Sequence, residues 1–397
     1  MIGISKLYCG TVEPSDVLRY GGSSQKLPSH LLQFSDDKKP VVVWNMTRAC
    51  NLSCDHCYAS ATAGPAPDEM SLDQAENLVD QLIDFKVPVV LFSGGEPLMH
   101  PHLFRLIERT VKGGRRAVLS TNGLLIDRDK ALKLKDLGLS YVGVSLDGLA
   151  EVHDKFRRKP GAFEQTVKAM AIAREAGLKV GLRFTINRGN IDDLPGIFDL
   201  MAKEGIPRVC FYHLVVSGRG AGLESATLSH AETRRAVDYI IQRTDERHQK
   251  GQPLEVLTVD NHADGPYLYL KMKAEGRDER AAQVLKLLRL NGGNSSGRGI
   301  GAVSWNGAVH PDQFWRQVNL GSVKEKPFGE IWTDPNNEFL MSLKNKKEHV
   351  TGRCRKCSFL EVCGGNLRAR AEAATGEVWG VDPACYLSDE EISTPLD

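Results

Sequence analysis

The chain is poor in several features, and each shortage removes a class of function. No stretch of its 397 residues approaches the roughly 20 consecutive apolar residues of a membrane-spanning helix. The opening Met1-Ile2-Gly3-Ile4-Ser5-Lys6 is not followed by the apolar core of a secretion signal. Formal net charge is +1, so there is no basic field for nucleic acid and no acidic excess of a solvating tail. The Gly/Asn/Ser-rich stretch 291–301 lacks the Lys-Ser/Thr that would make it a phosphate-binding loop, and reads as a flexible connection. Apolar residues at 41% and charged residues at 25% are ordinary for a globular protein. A cytoplasmic protein with neither nucleic acid nor membrane as partner is expected.

Cysteine, by contrast, is plentiful. Seven of the nine cysteines fall in two short-spaced groups, Cys50, Cys54 and Cys57, then Cys354, Cys357, Cys363 and Cys385. Without a secretion signal, such groups read as metal or cluster ligands rather than disulfides. Cys9 stands alone, and Cys210, inside Val209-Cys210-Phe211-Tyr212, reads as a packed core thiol.

Between residues 40 and 220, short apolar runs alternate with longer amphipathic segments. Strands are predicted at 41–46, 87–93, 116–120, 141–145, 180–186 and 208–215, with the near-continuous apolar content of parallel strands covered on both faces. Helices are predicted near 101–113, 127–137, 162–177 and 191–204, and another opens at Ser71, with Gln74 completing a capping box. Successive βα units imply right-handed crossovers and one parallel sheet, here an open, partial (βα)6 barrel of the TIM-like α/β class. Its chemistry is expected at the C-terminal strand ends. The expected division is an N-terminal extension (1–39), the barrel (40–220), a helical segment with a Gly-rich connection (221–300) and a small cysteine-bearing module (301–397). The charge run Glu275–Arg280 reads as a solvated face.

The first cysteine group follows the first strand directly. Its three thiolates lie within the stretch 50–57 and can wrap one face of a four-iron cubane, leaving one iron open. The competing reading is a zinc knot completed by His56, but a residue between two ligands is poorly placed to close a tetrahedron.

The C-x3-C-x2-C spacing with Tyr58 after the last cysteine resembles the radical S-adenosylmethionine (AdoMet) superfamily. Ser93-Gly94-Gly95-Glu96-Pro97, at the end of the second strand, resembles that superfamily's GGEP motif. The resemblance implies that Gly94, Gly95 and Glu96 receive the methionine amino group, and glycines with a carboxylate suit an ammonium. Ser120-Thr121-Asn122-Gly123 and Ser145-Leu146-Asp147-Gly148 end the third and fourth strands. They resemble segments lining the AdoMet ribose and carboxylate, which implicates Ser120, Asn122, Ser145 and Asp147. Each is a weak turn motif alone; in order on successive strand ends they are specific. The chemistry implied is one-electron cleavage of AdoMet to a 5′-deoxyadenosyl radical that abstracts a substrate hydrogen.

The four C-terminal cysteines satisfy either a second [4Fe–4S] cluster or an all-cysteine zinc site. Gly307–Pro311, Leu320–Val323 and the cysteines together resemble the SPASM/twitch extension of radical AdoMet enzymes. Leu367 stands where a further cysteine would follow, and an upstream pair is missing, so one auxiliary cluster is expected.

Further segments, among them Asp260–Gly265, Asn291–Asn294 and Asp382–Tyr386, resemble tetrapyrrole-modifying members over nearly the full length. That group removes either two acetates from 12,18-didecarboxysiroheme, giving iron-coproporphyrin III, or propionates from the same substrate. The likeness of Tyr8–Thr11 and Ser15–Tyr20 points to acetate removal. A peptide maturase would share the barrel and module, but a second auxiliary cluster and a peptide-recognition domain are missing. An iron tetrapyrrole with several carboxylates suits Arg183 and Arg219 as contacts, and His213, His262 and His310 are candidate axial ligands to its iron. A low-potential electron donor such as ferredoxin or flavodoxin is implied.

Overall fold

The computed structural model describes residues 1–11 and 39–396; the segment Ser15–Tyr20 lies outside them. One eleven-stranded sheet organises the chain, in the order β1-β8-β7-β6-β5-β4-β3-β2-β9-β10-β11. The predicted strands are β2 (Val41–Asn45), β3 (Val89–Ser93), β4 (Arg116–Thr121), β5 (Tyr141–Ser145), β6 (Val180–Ile186) and β7 (Arg208–His213), each parallel to its neighbours. Their apolar residues are buried on both faces, as in Val42, Trp44, Phe92, Leu119, Val144 and Phe184, because sequential right-handed crossovers lay the helices on the outer face while inward side chains fill the open barrel.

The helices follow from their end signals. Ser71 and Gln74 form the expected capping box for Leu72–Asp84, which buries Leu78, Val79 and Leu82. Asp127 caps Arg128–Asp136. Ala150–Arg157 was not foreseen; no side chain caps its start, and Arg158 closes it in the left-handed region.

Two strands extend the parallel array beyond expectation. Glu255–Val259 (β8) pairs with β7, and Ile300–Ser304 (β9) pairs with β2, both parallel. The first sits inside a stretch read as polar and helical, because five residues between long charged helices leave little periodic signal. The array stays open. Ile2–Gly3 (β1) lies antiparallel on β8, and Ala308–His310 (β10) and Gly321–Ser322 (β11) continue antiparallel from β9. The C-terminal segment therefore enters the same sheet.

Three local expectations are corrected. Residues 1–11 are built into the fold, with Ile2, Ile4 and Leu7 fully buried. The charge run 275–280 holds them rather than facing water alone: Arg280 donates to the Leu7 and Lys6 carbonyls, Arg277 to the Tyr8 carbonyl, and Tyr8 to Glu275. The Gly-rich stretch is no loose connection, since a Cβ on Gly293 (φ +70°) would lie 2.1 Å from the Cys363 carbonyl oxygen. Cys210 is a buried thiol packed with Leu257 and Val259, as expected.

Candidate active site

The first cysteine loop leaves the C-terminal end of β2 and is gripped from two sides. On one side Gly95 and Glu96 donate backbone N–H bonds to Thr47 and Ala49, both at 2.7 Å. A Cβ on Gly95 would lie 2.2 Å from the Ala49 oxygen, and one on Gly94 (φ +132°) 2.6 Å from the Thr47 oxygen. These glycines are required by the chain's own close approach to the segment entering Cys50. On the other side Gly218 (φ +60°) lies so near that a Cβ would meet the Tyr58 oxygen at 2.2 Å. Arg219 donates to the Cys54 carbonyl at 2.8 Å and the Ala61 carbonyl at 3.0 Å. Arg219 thus braces the cysteine loop through Nε and Nη1, while its Nη2 is buried without a partner.

Each of the three sulfurs faces an N–H donor. Arg157 Nη1 lies 3.5 Å from Cys54 Sγ, Asn122 Nδ2 3.9 Å from Cys50 Sγ, and Ala61 N 3.4 Å from Cys57 Sγ. Donors to sulfur are what an anionic iron–sulfur group needs around it. Burial pushes the Cys50 thiol up to about 12, so a bound cluster has to displace its proton. Among the described residues no three His, Cys, Asp or Glu side chains gather closely enough for a single metal ion.

Behind the loop lies a buried charge network. Asp147, 1% exposed, pairs with Arg157, stands 3.3 Å from His56 Nε2 and accepts from the Thr185 N–H at 2.8 Å. Burial alone would raise its carboxyl, but Arg157 and His56 hold it below the ordinary range. His56 stacks on Phe156 with ring centroids 4.4 Å apart. Glu96 is fully buried, and its carboxylate accepts from Thr121 Oγ1 (2.8 Å), Asn122 N (2.9 Å) and Leu98 N (3.1 Å). It ties the β3 loop to the β4 loop. Asn122 in turn donates to Asn51 at 2.8 Å.

A small cavity of about 120 Å³ opens over the strand ends. Of the predicted residues, Ser120, Ser145, Arg183 and His213 line it. His56 Nδ1 and Arg157 Nε border it buried and without a hydrogen-bond partner, which suits a polar ligand. Arg183 donates to Ser120 Oγ at 2.7 Å and lies 4.9 Å over the Tyr212 ring. It has no carboxylate ion-pair partner among the described residues. Gly143 leaves it room, since a Cβ there would lie 2.9 Å from Arg183 Cδ.

The three histidines part company here. His213 lines the cavity and bonds Asp264 through Nε2 at 2.8 Å, which leaves Nδ1 as the nitrogen with a free lone pair. Both nitrogens of His310 are engaged, by Ser304 Oγ at 2.8 Å and the Val318 carbonyl at 2.7 Å. His262 is buried in the loop after β8, where its N–H donates to Asn366, and it does not line the cavity. Arg157 escaped the sequence reading, because it sits in no spaced motif; Asp260 and Asp264 entered it only within the segment Asp260–Gly265, with no role assigned.

The second cysteine group converges as well. The Cys363 thiol is pushed up by burial and then by the nearness of Cys385, Cys354 and Cys357. Two buried cations stand beside it, Lys346 and Arg368; neither forms a carboxylate ion pair among the described residues. Arg368 is anchored by the Gly365, Val378 and Gly380 carbonyls. Such cations offset the charge of a thiolate cluster.

Residues 44–210 match the radical SAM superfamily, and residues 296–358 match an iron–sulfur cluster-binding domain, SPASM. The chain is 59% identical over 395 residues, 99% of each chain, to Fe-coproporphyrin III synthase of Methanosarcina barkeri. It is 41% identical to pre-heme d1 synthase of Dinoroseobacter shibae, over 90% of this chain and 89% of that one. The solved structure of anSMEcpe with bound AdoMet and Cp18Cys peptide superposes with a TM-score of 0.66 at 18% identity, covering 87% of this chain and 93% of that one, a likeness of fold. The cofactors that go with these domains are an AdoMet-binding [4Fe–4S] cluster and an auxiliary iron–sulfur cluster. Open barrel, gripped cysteine loop and end-to-end identity agree: the chain is a radical SAM enzyme with a SPASM domain and belongs to the family of Fe-coproporphyrin III synthase and pre-heme d1 synthase.

Proposed function

We propose that the enzyme removes two acetate side chains from 12,18-didecarboxysiroheme to give iron-coproporphyrin III. The observation that carries this is the 59% identity, end to end, to a protein named for that product, against 41% for the pre-heme d1 synthase. Cys50, Cys54 and Cys57 hold the AdoMet-binding cluster, and Cys354, Cys357, Cys363 and Cys385 hold the auxiliary one. When bound, the first cluster and AdoMet supply the 5′-deoxyadenosyl radical that abstracts a substrate hydrogen. Asn122, Arg157 and the Ala61 N–H stabilise charge on the sulfurs, and Asp147 fixes Arg157. Glu96 orders the Gly94–Gly95 and Asn122 loops against the cysteines; Ser120 and Ser145 face the cavity that receives AdoMet. Arg183 binds a substrate carboxylate, and His213 is the best placed of the three histidines to meet the substrate iron. No described helix is long and apolar enough to cross a membrane. A cytoplasmic setting, with a ferredoxin or flavodoxin as donor, completes the reading, and residues 301–397 act as the auxiliary-cluster module.

The test is anaerobic turnover of didecarboxysiroheme by the reduced, reconstituted enzyme with AdoMet, followed by mass spectrometry. Loss of both acetates with propionates retained is expected; lost propionates with retained acetates would overturn the proposal.

A further inference from the structure

The auxiliary cysteines and the substrate cavity are joined by a set of hydrogen bonds that neither cluster chemistry nor barrel folding requires. The loop after β8 carries Asp260, which lines the cavity beside His213. Asp260 is 8% exposed, its Oδ2 has no partner, and its φ of +66° is a left-handed conformation that an aspartate adopts only at some cost. Something must hold it there.

The holding groups come from the auxiliary module. Arg370, itself in a buried ion pair with Asp382, donates to the Asp260 carbonyl at 2.8 Å. The next residue, Asn261, donates to the Ala384 carbonyl at 2.9 Å and accepts from Asn366 Nδ2 at 2.8 Å. Asn366 also accepts from the His262 N–H at 2.7 Å. Finally, Tyr386 OH donates to Asp264 Oδ1 at 2.7 Å, and the other oxygen of Asp264 meets His213 Nε2 at 2.8 Å. Asn366 follows Cys363 by three positions, while Ala384 and Tyr386 flank Cys385. The cysteine loops therefore touch, at one remove, both polar residues on this wall of the cavity.

We propose that the auxiliary-cluster module is a clamp on the substrate wall: Asn366 and Tyr386 are positioning residues that hold Asp260 and His213 toward the ligand. Given the reading above, that ligand is an iron tetrapyrrole bearing carboxylates. Folding the auxiliary cysteine loops around their cluster orders the wall, while the AdoMet half of the site, built on β2 to β5, is held by Glu96 and Arg219 and by contacts of Phe314 and Arg316 that do not involve those loops.

Two variants keep the cysteines and the backbone preferences intact. Asn366→Gly suits the local φ of +60°, and Tyr386→Phe removes a single hydroxyl. In the reconstituted holoenzyme both are expected to raise amide hydrogen exchange across 259–264 and leave 47–57 and 93–96 unchanged. Both should weaken binding of didecarboxysiroheme, followed optically, about tenfold, with iron content and substrate-free AdoMet cleavage as in the parent. Unchanged exchange at 259–264 in both variants would overturn the clamp, as would loss of AdoMet cleavage in step with substrate affinity. If the parent enzyme binds no iron tetrapyrrole, the substrate reading falls while the exchange measurement still judges the clamp.

Discussion

Arg157 reaches two partners at once: one guanidinium nitrogen pairs with Asp147, and the other lies 3.5 Å from Cys54 Sγ. Helix Ala150–Arg157 ends against the cysteine loop, where the Asp55 N–H donates to the Phe156 carbonyl at 3.1 Å and Arg158 donates to Asp55 at 2.6 Å. A single helix end thus couples the β5 motif to the cluster loop.

Replacing Arg157 by Ala strands Asp147 as an uncompensated buried charge. Removing one partner of such a pair costs about 3–5 kcal/mol, whereas replacing both with apolar groups is often near neutral. Arg157→Ala is therefore expected to lose stability on that scale, and Arg157→Met with Asp147→Leu to recover part of it. Anaerobic denaturant unfolding measures both. A double variant no more stable than Arg157→Ala would contradict the pairing argument.

Gly95 offers a sharper local test. A Cβ would sit 2.2 Å from the Ala49 oxygen, so Gly95→Ala must push the entry to Cys50 aside. The expected result is loss of about four irons from about eight per chain, following cubane stoichiometry, with the auxiliary cluster retained. Iron analysis and electron paramagnetic resonance of the reduced protein separate the two clusters. Full iron content would show that the loop yields without cost.

Strand-end motifs were legible because parallel strands advertise themselves as apolar runs and their ends as turn residues. The glycines of Ser93–Pro97, expected from ligand approach, also make room for the backbone of Thr47–Ala49. His310 was plausible by residue type alone, yet both its nitrogens are spent on a hydroxyl and a carbonyl within the fold, while Arg219 commits Nε and Nη1 to carbonyls of the cysteine loop. Arg157 was invisible, and Asp260 was noted only as part of Asp260–Gly265, since a helix end and a left-handed loop residue acquire their roles only from partners far along the chain. The five residues of β8 were missed because so short a run, buried throughout, has no period to detect.

His213 and His310 should differ in what their removal does to the bound substrate. His213→Ala is expected to change the optical spectrum of bound iron tetrapyrrole, since His213 borders the cavity, and to lower stability by loss of its bond to Asp264. His310→Ala should leave that spectrum alone and lower thermal stability, because it breaks two buried hydrogen bonds, each worth about 1 kcal/mol net. A spectrum indifferent to His213→Ala would remove it from the iron's coordination.

Arg183 is the cavity's unneutralised cation, and two carboxylates compete for it, one on AdoMet and one on the tetrapyrrole. Its hydrogen bond to Ser120 and its register pairing with Ser145 place it at the edge of the AdoMet segments, within reach of either. A hydrogen bond to a charged group contributes about 1.5–3 kcal/mol, so Arg183→Gln should weaken substrate binding roughly 10- to 150-fold. Arg183→Lys should rescue only part of this, because an ammonium cannot reproduce the planar fork. Measuring AdoMet affinity in the same variants decides the assignment: an unchanged value leaves Arg183 to the substrate, and an equal loss moves it to the cofactor.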